Sequence, residues 1–436
     1  MDILLYLVGI LFMLLALTIS IALHEIGHLV PAKLFGVRVG QYMVGFGRTL
    51  WSRKRGETEY GLKALPLGGY ISMAGMYPSS DDVKPASGLF RTLVQDARDA
   101  NDETITEDGS GLFHRLPTWK RVIVMLGGPF MNLLLALVVF SIVFSGIGVQ
   151  QGTTTIASVS ECVLSAAQER DECLPEDPLA PAAAAGLQPG DVLLSVDGQP
   201  VSTFAEASAI IQASPGASVR VVVERDGAER ELTMTPVLTE RAVLDERGEP
   251  VRDAQGDVET VAVGFVGMSA QVAFVPQPLS AGLEMTWENT RAVAGIVVQL
   301  PVRLWDLAVS TFTGGERDPN GPLGVVGVGR LAGEVAAVDA PVLNRLWVLL
   351  SLVGSLNIAL FVFNLIPLLP LDGGHVAVAL WDGIRRGWAK LWRRPPPPPV
   401  DATRLVPVTI VVAVFMIAMT VLLLIADIVN PVNLLQ

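Results

Sequence analysis

Residues 17–36 read LTISIALHEIGHLVPAKLFG and close an apolar run that begins at residue 3. A helix of roughly 20 apolar residues crosses a bilayer. Titratable groups at that depth are costly and must find partners. A chain that places His24, Glu25 and His28 there has to bring those partners from elsewhere. It is thereby confined to spans gathered round a shared polar centre. Three further runs are long enough to cross, 121–149, 346–371 and 405–427. The balance of 51% hydrophobic to 17% charged residues agrees with the membrane class. The first run opens Met-Asp-Ile-Leu-Leu, without a basic start. It also exceeds the roughly 7–15 apolar residues of a signal peptide, so a retained helix is expected.

The net charge of −12 is unevenly spread. Lys33, Arg38, Arg48, Arg53, Lys54, Arg55 and Lys63 follow the first run, and Lys120 and Arg121 lead into the second. Arg385, Arg386, Lys390, Arg393 and Arg394 separate the third from the fourth. The positive-inside rule puts these basic loops in the cytosol. Both termini and the acidic 150–340 region then fall outside the cell membrane. Cys162 and Cys173 lie in that outer region, where a disulfide is expected.

Nine segments follow in order. Residues 1–36 hold the first span, and 37–76 alternate β-branched and aromatic residues with turn residues, as short strands do. A sheet at membrane depth must be covered or line a cavity, so a hairpin beside the helices is expected. Residues 77–118 read as a polar, mobile cytosolic loop and 119–150 as the second span. Residues 153–275 read as a soluble α+β domain with strands at TTTIASV, DVLLSVDG, SVRVVVERDG and ERELTMTPV, one helix at TFAEASAIIQAS and a hairpin at LDERGEPVRDAQGDVET. Residues 276–341 carry apolar residues at helical spacing and suit the membrane surface. The third span is 342–380, a basic, proline-rich loop occupies 381–404, and 405–428 is the fourth span. The fold class expected is a polytopic α-helical membrane protein with four transmembrane helices, a membrane-associated β-element after the first, and one extracytoplasmic domain.

His24 and His28 stand four apart, so a helix stacks both imidazoles on one face within reach of one metal ion. Two histidines and a carboxylate with a fourth position open make a catalytic zinc set. Glu25 beside them is placed to take a proton from water. Asp372 is the candidate third ligand, because it is the only charged residue between Arg345 and Asp382. His375 competes with it. Pro367 and Pro370 interrupt the helix just before Asp372. The freed backbone there suits an extended peptide that pairs like a strand. Asn357 and Asn364 are amides in the third span. They suit either substrate binding or helix–helix contact.

HEIGH, GGPFMN and NLIPLLPLDGGH resemble, in order, the motifs of the site-2 protease family of intramembrane metalloproteases. VGFG and LPLGGYI resemble its membrane-associated β-element, and AAAAGLQPGDVLLSVDG resembles a PDZ domain in the permuted bacterial arrangement. The resemblance implies one Zn2+ on His24, His28 and Asp372, with Glu25 as general base. It implies that Asn364 helps hold the substrate and that Asn132 is the polar position of the second-span motif; Asn357 and Gly69 complete the expected substrate-binding set. It further implies cleavage of a single-pass transmembrane protein, typically an anti-sigma factor already trimmed outside. The PDZ domain would bind the exposed peptide C-terminus or filter by size, with VGFVGM (263–268) as its carboxylate loop. Expected partners are that substrate and the lipid bilayer, with no nucleic acid. Two other readings are weaker. A PDZ adaptor with a structural metal needs no base such as Glu25. A proton-relaying transporter needs a polar path across the membrane, whereas these groups cluster at one depth.

Overall fold

The computed structural model describes residues 2–77, 91–105, 110–163, 173–174, 177–243, 251, 258–319, 321–395, 397–398 and 400–432. The chain divides into two compact units, Met1–Gly146 with Pro278–Gln436, and Ile147–Gln277.

The first unit opens with α1 (Asp2–Leu34), whose residues 3–15 leave Ile3, Leu4, Leu7, Leu11 and Leu15 exposed, as a lipid-facing helix does. Next come β1 (Val39–Arg55) and β2 (Thr58–Met73), a long bulged antiparallel ribbon. Residues 39–44 of β1 pair with 69–73, and Gln41 and Val44 also lie opposite Glu59 and Leu62. The ribbon therefore doubles into a small sheet. Tyr42 ties it to α1 by donating to the Ala22 carbonyl at 2.8 Å.

The 77–118 stretch, expected as a mobile loop, contains α2 (Arg91–Asp102). Polar composition hides it, because what holds it is remote. Arg98 of α2 is buried, donates to Asp401 at 2.5 Å and reaches Thr403 at 3.2 Å. Residues 78–90 and 106–109 of that stretch lie outside the described residues.

Helix α3 (Thr118–Ser141) crosses α1 backbone to backbone. A Cβ on Gly127 would fall 2.0 Å from the Gly27 carbonyl oxygen, and one on Gly27 would meet the Gly127 oxygen at 2.2 Å. Only glycine at both positions permits this approach. Pro31 has no N–H for the Gly27 carbonyl, four residues back, so that oxygen is free to lie against α3.

The second unit contains β3 (Val149–Val159), α4 (Pro181–Ala184), β4 (Val192–Val196), β5 (Gln199–Pro200), α5 (Phe204–Gln212), β6 (Val219–Arg225), β7 (Ala228–Met234), β8 (Val237–Ala242), β9 (Thr260–Phe265) and β10 (Met268–Val275). Its main sheet runs β10-β3-β4-β6-β7 with β5 on β4, and β8 pairs with β9 alone. Every second residue of β6, Val219, Val221 and Val223, points into a core shared with Ile156, Leu193, Val196 and Ile211. Thr203 caps α5, accepting from the Glu206 amide while Glu206 accepts from Ser202. Cys162 and Cys173 are joined in a disulfide. The hairpin expected at 244–260 falls, at its tip, outside the described residues, while β8 and β9 form its arms.

Asp191, 1% exposed, holds Arg225 in a two-pronged pair at 2.6 and 2.7 Å. The Arg225 hydrogen bond keeps the Asp191 carboxyl below the usual carboxylate range. This contribution is therefore full above the unfolded-chain value and is lost as pH falls through the lower folded-state value. Asp191→Asn should lower the melting temperature of excised 147–277 by ~4–8 °C at neutral pH. The gap to the unmutated unit should shrink on acidification. Equal melting at neutral pH would show that the pair is inert.

The first unit resumes with α6 (Ser280–Thr313), α7 (Val325–Ala337), α8 (Val342–Asn364), α9 (Asp372–Leu391) and α10 (Val406–Val429). The expected third span, 342–380, is thus two helices with a break at 365–371, where Pro367 and Pro370 sit. Among the described residues five helices, α1, α3, α6, α8 and α10, are long and apolar enough to cross a membrane by length and composition. Four crossings were expected. Helix α6 adds a candidate because its charges, Glu284, Glu288, Arg291, Arg303 and Asp306, leave the stretch 292–302 uncharged.

Candidate metal centre

Three side chains from two distant segments converge between α1 and α9. His24 Nε2 lies 3.2 Å from Asp372 Oδ2, His28 Nε2 lies 3.4 Å from the same oxygen, and the two Nε2 atoms are 3.2 Å apart. They form the one group of three or more metal-capable side chains within 4.8 Å of one another among the described residues.

The fit to a metal can be judged from the atoms themselves. His28 Nδ1 lies 2.7 Å from the Val124 carbonyl oxygen, which can only accept, so Nδ1 carries the proton. Its Nε2 therefore presents a lone pair. His24 Nδ1 lies 3.1 Å from the Asn132 side-chain amide, whose oxygen otherwise has no partner; with that amide turned so that Oδ1 accepts from Nδ1–H, the Nε2 lone pair of His24 also faces the centre. Asp372 Oδ2 is buried with no hydrogen-bond donor. Three electron-rich atoms thus face one another, an arrangement that a cation relieves. Zinc bonds of about 2.0–2.1 Å in a tetrahedron set ligand atoms roughly 3.3 Å apart, close to the three distances observed.

Each ligand is aimed by its neighbours. Gly128 of α3 presses on the imidazoles so closely that a Cβ there would lie 2.2 Å from His28 Nε2 and 2.7 Å from His24 Nε2. Gly373 and Gly374 let the first turn of α9 fold against the 365–369 break. A Cβ on either would strike that backbone at 2.4–2.5 Å. Asp372 is thereby set at the helix N-terminus, where the backbone favours an anion. Gly128→Ala is expected to cost about 1–3 kcal/mol of strain and to push the imidazoles apart. Zinc measured per purified chain should fall with it. Full zinc and full activity would mean that α1 and α3 separate without consequence.

Glu25 is 8% exposed and faces the ribbon. A Cβ on Gly69 would sit 2.9 Å from Glu25 Cγ, so the 69–73 edge of the sheet passes directly over the glutamate. Asn364 ends α8, half-buried, just before the break.

Two amides of the expected substrate-binding set are buried among the helices. Asn132 is 1% exposed and bonded to His24, behind the centre. Asn357 is fully buried and donates to Ser20 Oγ at 2.9 Å and to the Val353 carbonyl, joining α8 to α1. His375 stands apart from the triad, its ring against Tyr77 at 6.3 Å. Sequence reasoning did not give Val124, Gly128 or Ser20 their roles. The GG pair in GGPFMN was the available signal for Gly128, whereas a carbonyl such as that of Val124 leaves none.

The model of Peptidase family M50 matches residues 12–391. The chain belongs to this family. It is 35% identical over 441 residues to the zinc metalloprotease Rip1 of Mycobacterium tuberculosis, covering 99% of this chain and all of the relative. Rip1 of Mycolicibacterium smegmatis is 33% identical over 438 residues, 98% of this chain and 99% of the relative. The metalloprotease MmpA of Caulobacter vibrioides is 26% identical over 400 residues, 87% and 88% of the two chains. The M50 protein described here is accordingly a multi-pass membrane zinc metalloprotease. The zinc, when bound, supplies Lewis acidity and water activated near neutral pH.

Proposed function

We propose that this protein is an intramembrane endopeptidase that cuts the transmembrane segment of single-pass membrane proteins, a pre-trimmed anti-sigma factor being the substrate type expected. The observation that carries it is the triad of lone pairs from His24, His28 and Asp372. The three residues hold the zinc. Glu25 takes the proton from the attacking water and returns it to the leaving amine. An unwound substrate lies as a further strand beside residues 69–73, with Gly69 admitting it next to Glu25. Asn364, at the open end of α8, binds its backbone.

Four crossings fit this reading better than five. Asp372 follows α8 and meets the C-terminal part of α1, so α1 and α8 run in the same direction across the membrane. An odd number of crossings must separate them, and α3 supplies one. Helix α7, 13 residues long, spans about 20 Å of the roughly 30 Å needed. Helix α6 is therefore not a crossing. Its two ends support this, since Gly282 packs on Ser141 at the end of α3 and Gly315 accepts from Asn430 at the end of α10. Those two ends face the same side, so α6 lies along the outer surface. Both termini and 147–277 lie on that side as well. The latter serves as a PDZ domain, with a groove between α5 and residues 264–268 for a peptide C-terminus.

The test compares membrane proteomes of cells with active enzyme and with the Glu25→Gln form. Trimmed single-pass stubs should accumulate in the second. Identical stub populations would refute the substrate class.

A further inference from the structure

We infer that the cleft between α9 and α10 is a binding site for one anionic phospholipid. A cavity of about 430 Å³ opens there, lined by Leu369, Gly374, Val378, Trp381, Val408 and Arg404 among others. Its walls are apolar along the spans and carry charge at one end only, which matches an acyl chain below a headgroup.

The charge at that end is positive in excess. Asp401 is one carboxylate shared by Arg98 and Arg404. Arg98 is buried, whereas the Arg404 side chain is 58% exposed and free to reach a phosphate with its remaining donors. Asp382, the only acid between Asp372 and Asp401, is buried and already held by Arg121 at 2.5 Å and Arg386 at 3.1 Å. Lys390, Arg393 and Arg394, at the end of the same α9, are exposed and have no acidic partner among the described residues.

The outer face of α9 is built for the lipid boundary. Trp381, Ile384, Trp388 and Trp392 recur every three or four residues and are 57–61% exposed. Tryptophans beside basic residues mark the headgroup level, and each Lys or Arg near such a surface favours anionic over neutral lipid. A soluble acidic peptide would satisfy the arginines but not the apolar depth of the cavity. Leu369 and Gly374 flank Asp372, so the lipid would also buttress the turn that carries it. The inference requires only that this unit sits in a bilayer, not that the peptidase reading is right.

The test uses the full-length protein in phosphatidylcholine vesicles doped with photoactivatable phosphatidylglycerol or photoactivatable phosphatidylcholine, with labelled peptides mapped by mass spectrometry. Phosphatidylglycerol should label 367–381 and 404–409 roughly fivefold more than phosphatidylcholine. Arg404→Gln should remove that excess. Labelling of the unmutated protein decides the matter even if the variant misfolds. Equal labelling by the two lipids overturns the proposal. So does a transmembrane peptide bearing the same photoactivatable group that labels 367–381 and competes the lipid away, because the cleft is then a substrate path.

Discussion

Glu25→Gln is expected to slow peptide-bond cleavage about 10²–10⁴-fold, the usual contribution of a positioned acid–base group, while zinc stays bound. The substitution keeps the volume that packs beneath Gly69 and leaves His24, His28 and Asp372 in place. It removes only the capacity to hold a proton between water and leaving amine. Zinc per chain by elemental analysis and cleavage of a reconstituted transmembrane substrate read the two effects separately. Unimpaired cleavage would take the base assignment from Glu25. Loss of zinc as well would place Glu25 among the groups that hold the ion.

Asp372→Ala should do the opposite, emptying the metal centre and abolishing cleavage together. Partners that merely orient a ligand are worth 10–100-fold in metal affinity, so removing a ligand itself should weaken zinc by at least about 100-fold. Among the described residues there is no ready substitute, because His375 packs against Tyr77 instead of joining the triad. Two buried imidazoles from α1 would then face each other at 3.2 Å without a counter-charge. Zinc retention in this variant, with helix content unchanged by circular dichroism, would contradict the ligand set.

Much of this centre was legible before any coordinates. The i, i+4 histidines share a helix face by geometry alone, and an isolated aspartate in an apolar stretch advertises a missing partner. The prolines before Asp372 announced a break, and the structure has one at 365–371. Other features were not legible. Asn132 and Asn357 look alike in sequence, each an amide in a span. One backs a histidine 108 residues away and the other clips Ser20, 337 residues away. A polar stretch with acidic neighbours read as a loop, yet α2 stands because Arg98 finds Asp401. The apolar content of α6 suits either a crossing or a surface helix, and periodicity does not separate the two.

What the sequence determined by itself is the set of obligations: which segments must leave water, and which groups within them carry protons or lone pairs too costly to bury alone. Only the tertiary structure decided how each obligation is met, because the partner of a buried polar group is whatever distant segment packing brings within 3 Å or so, and no local pattern encodes that.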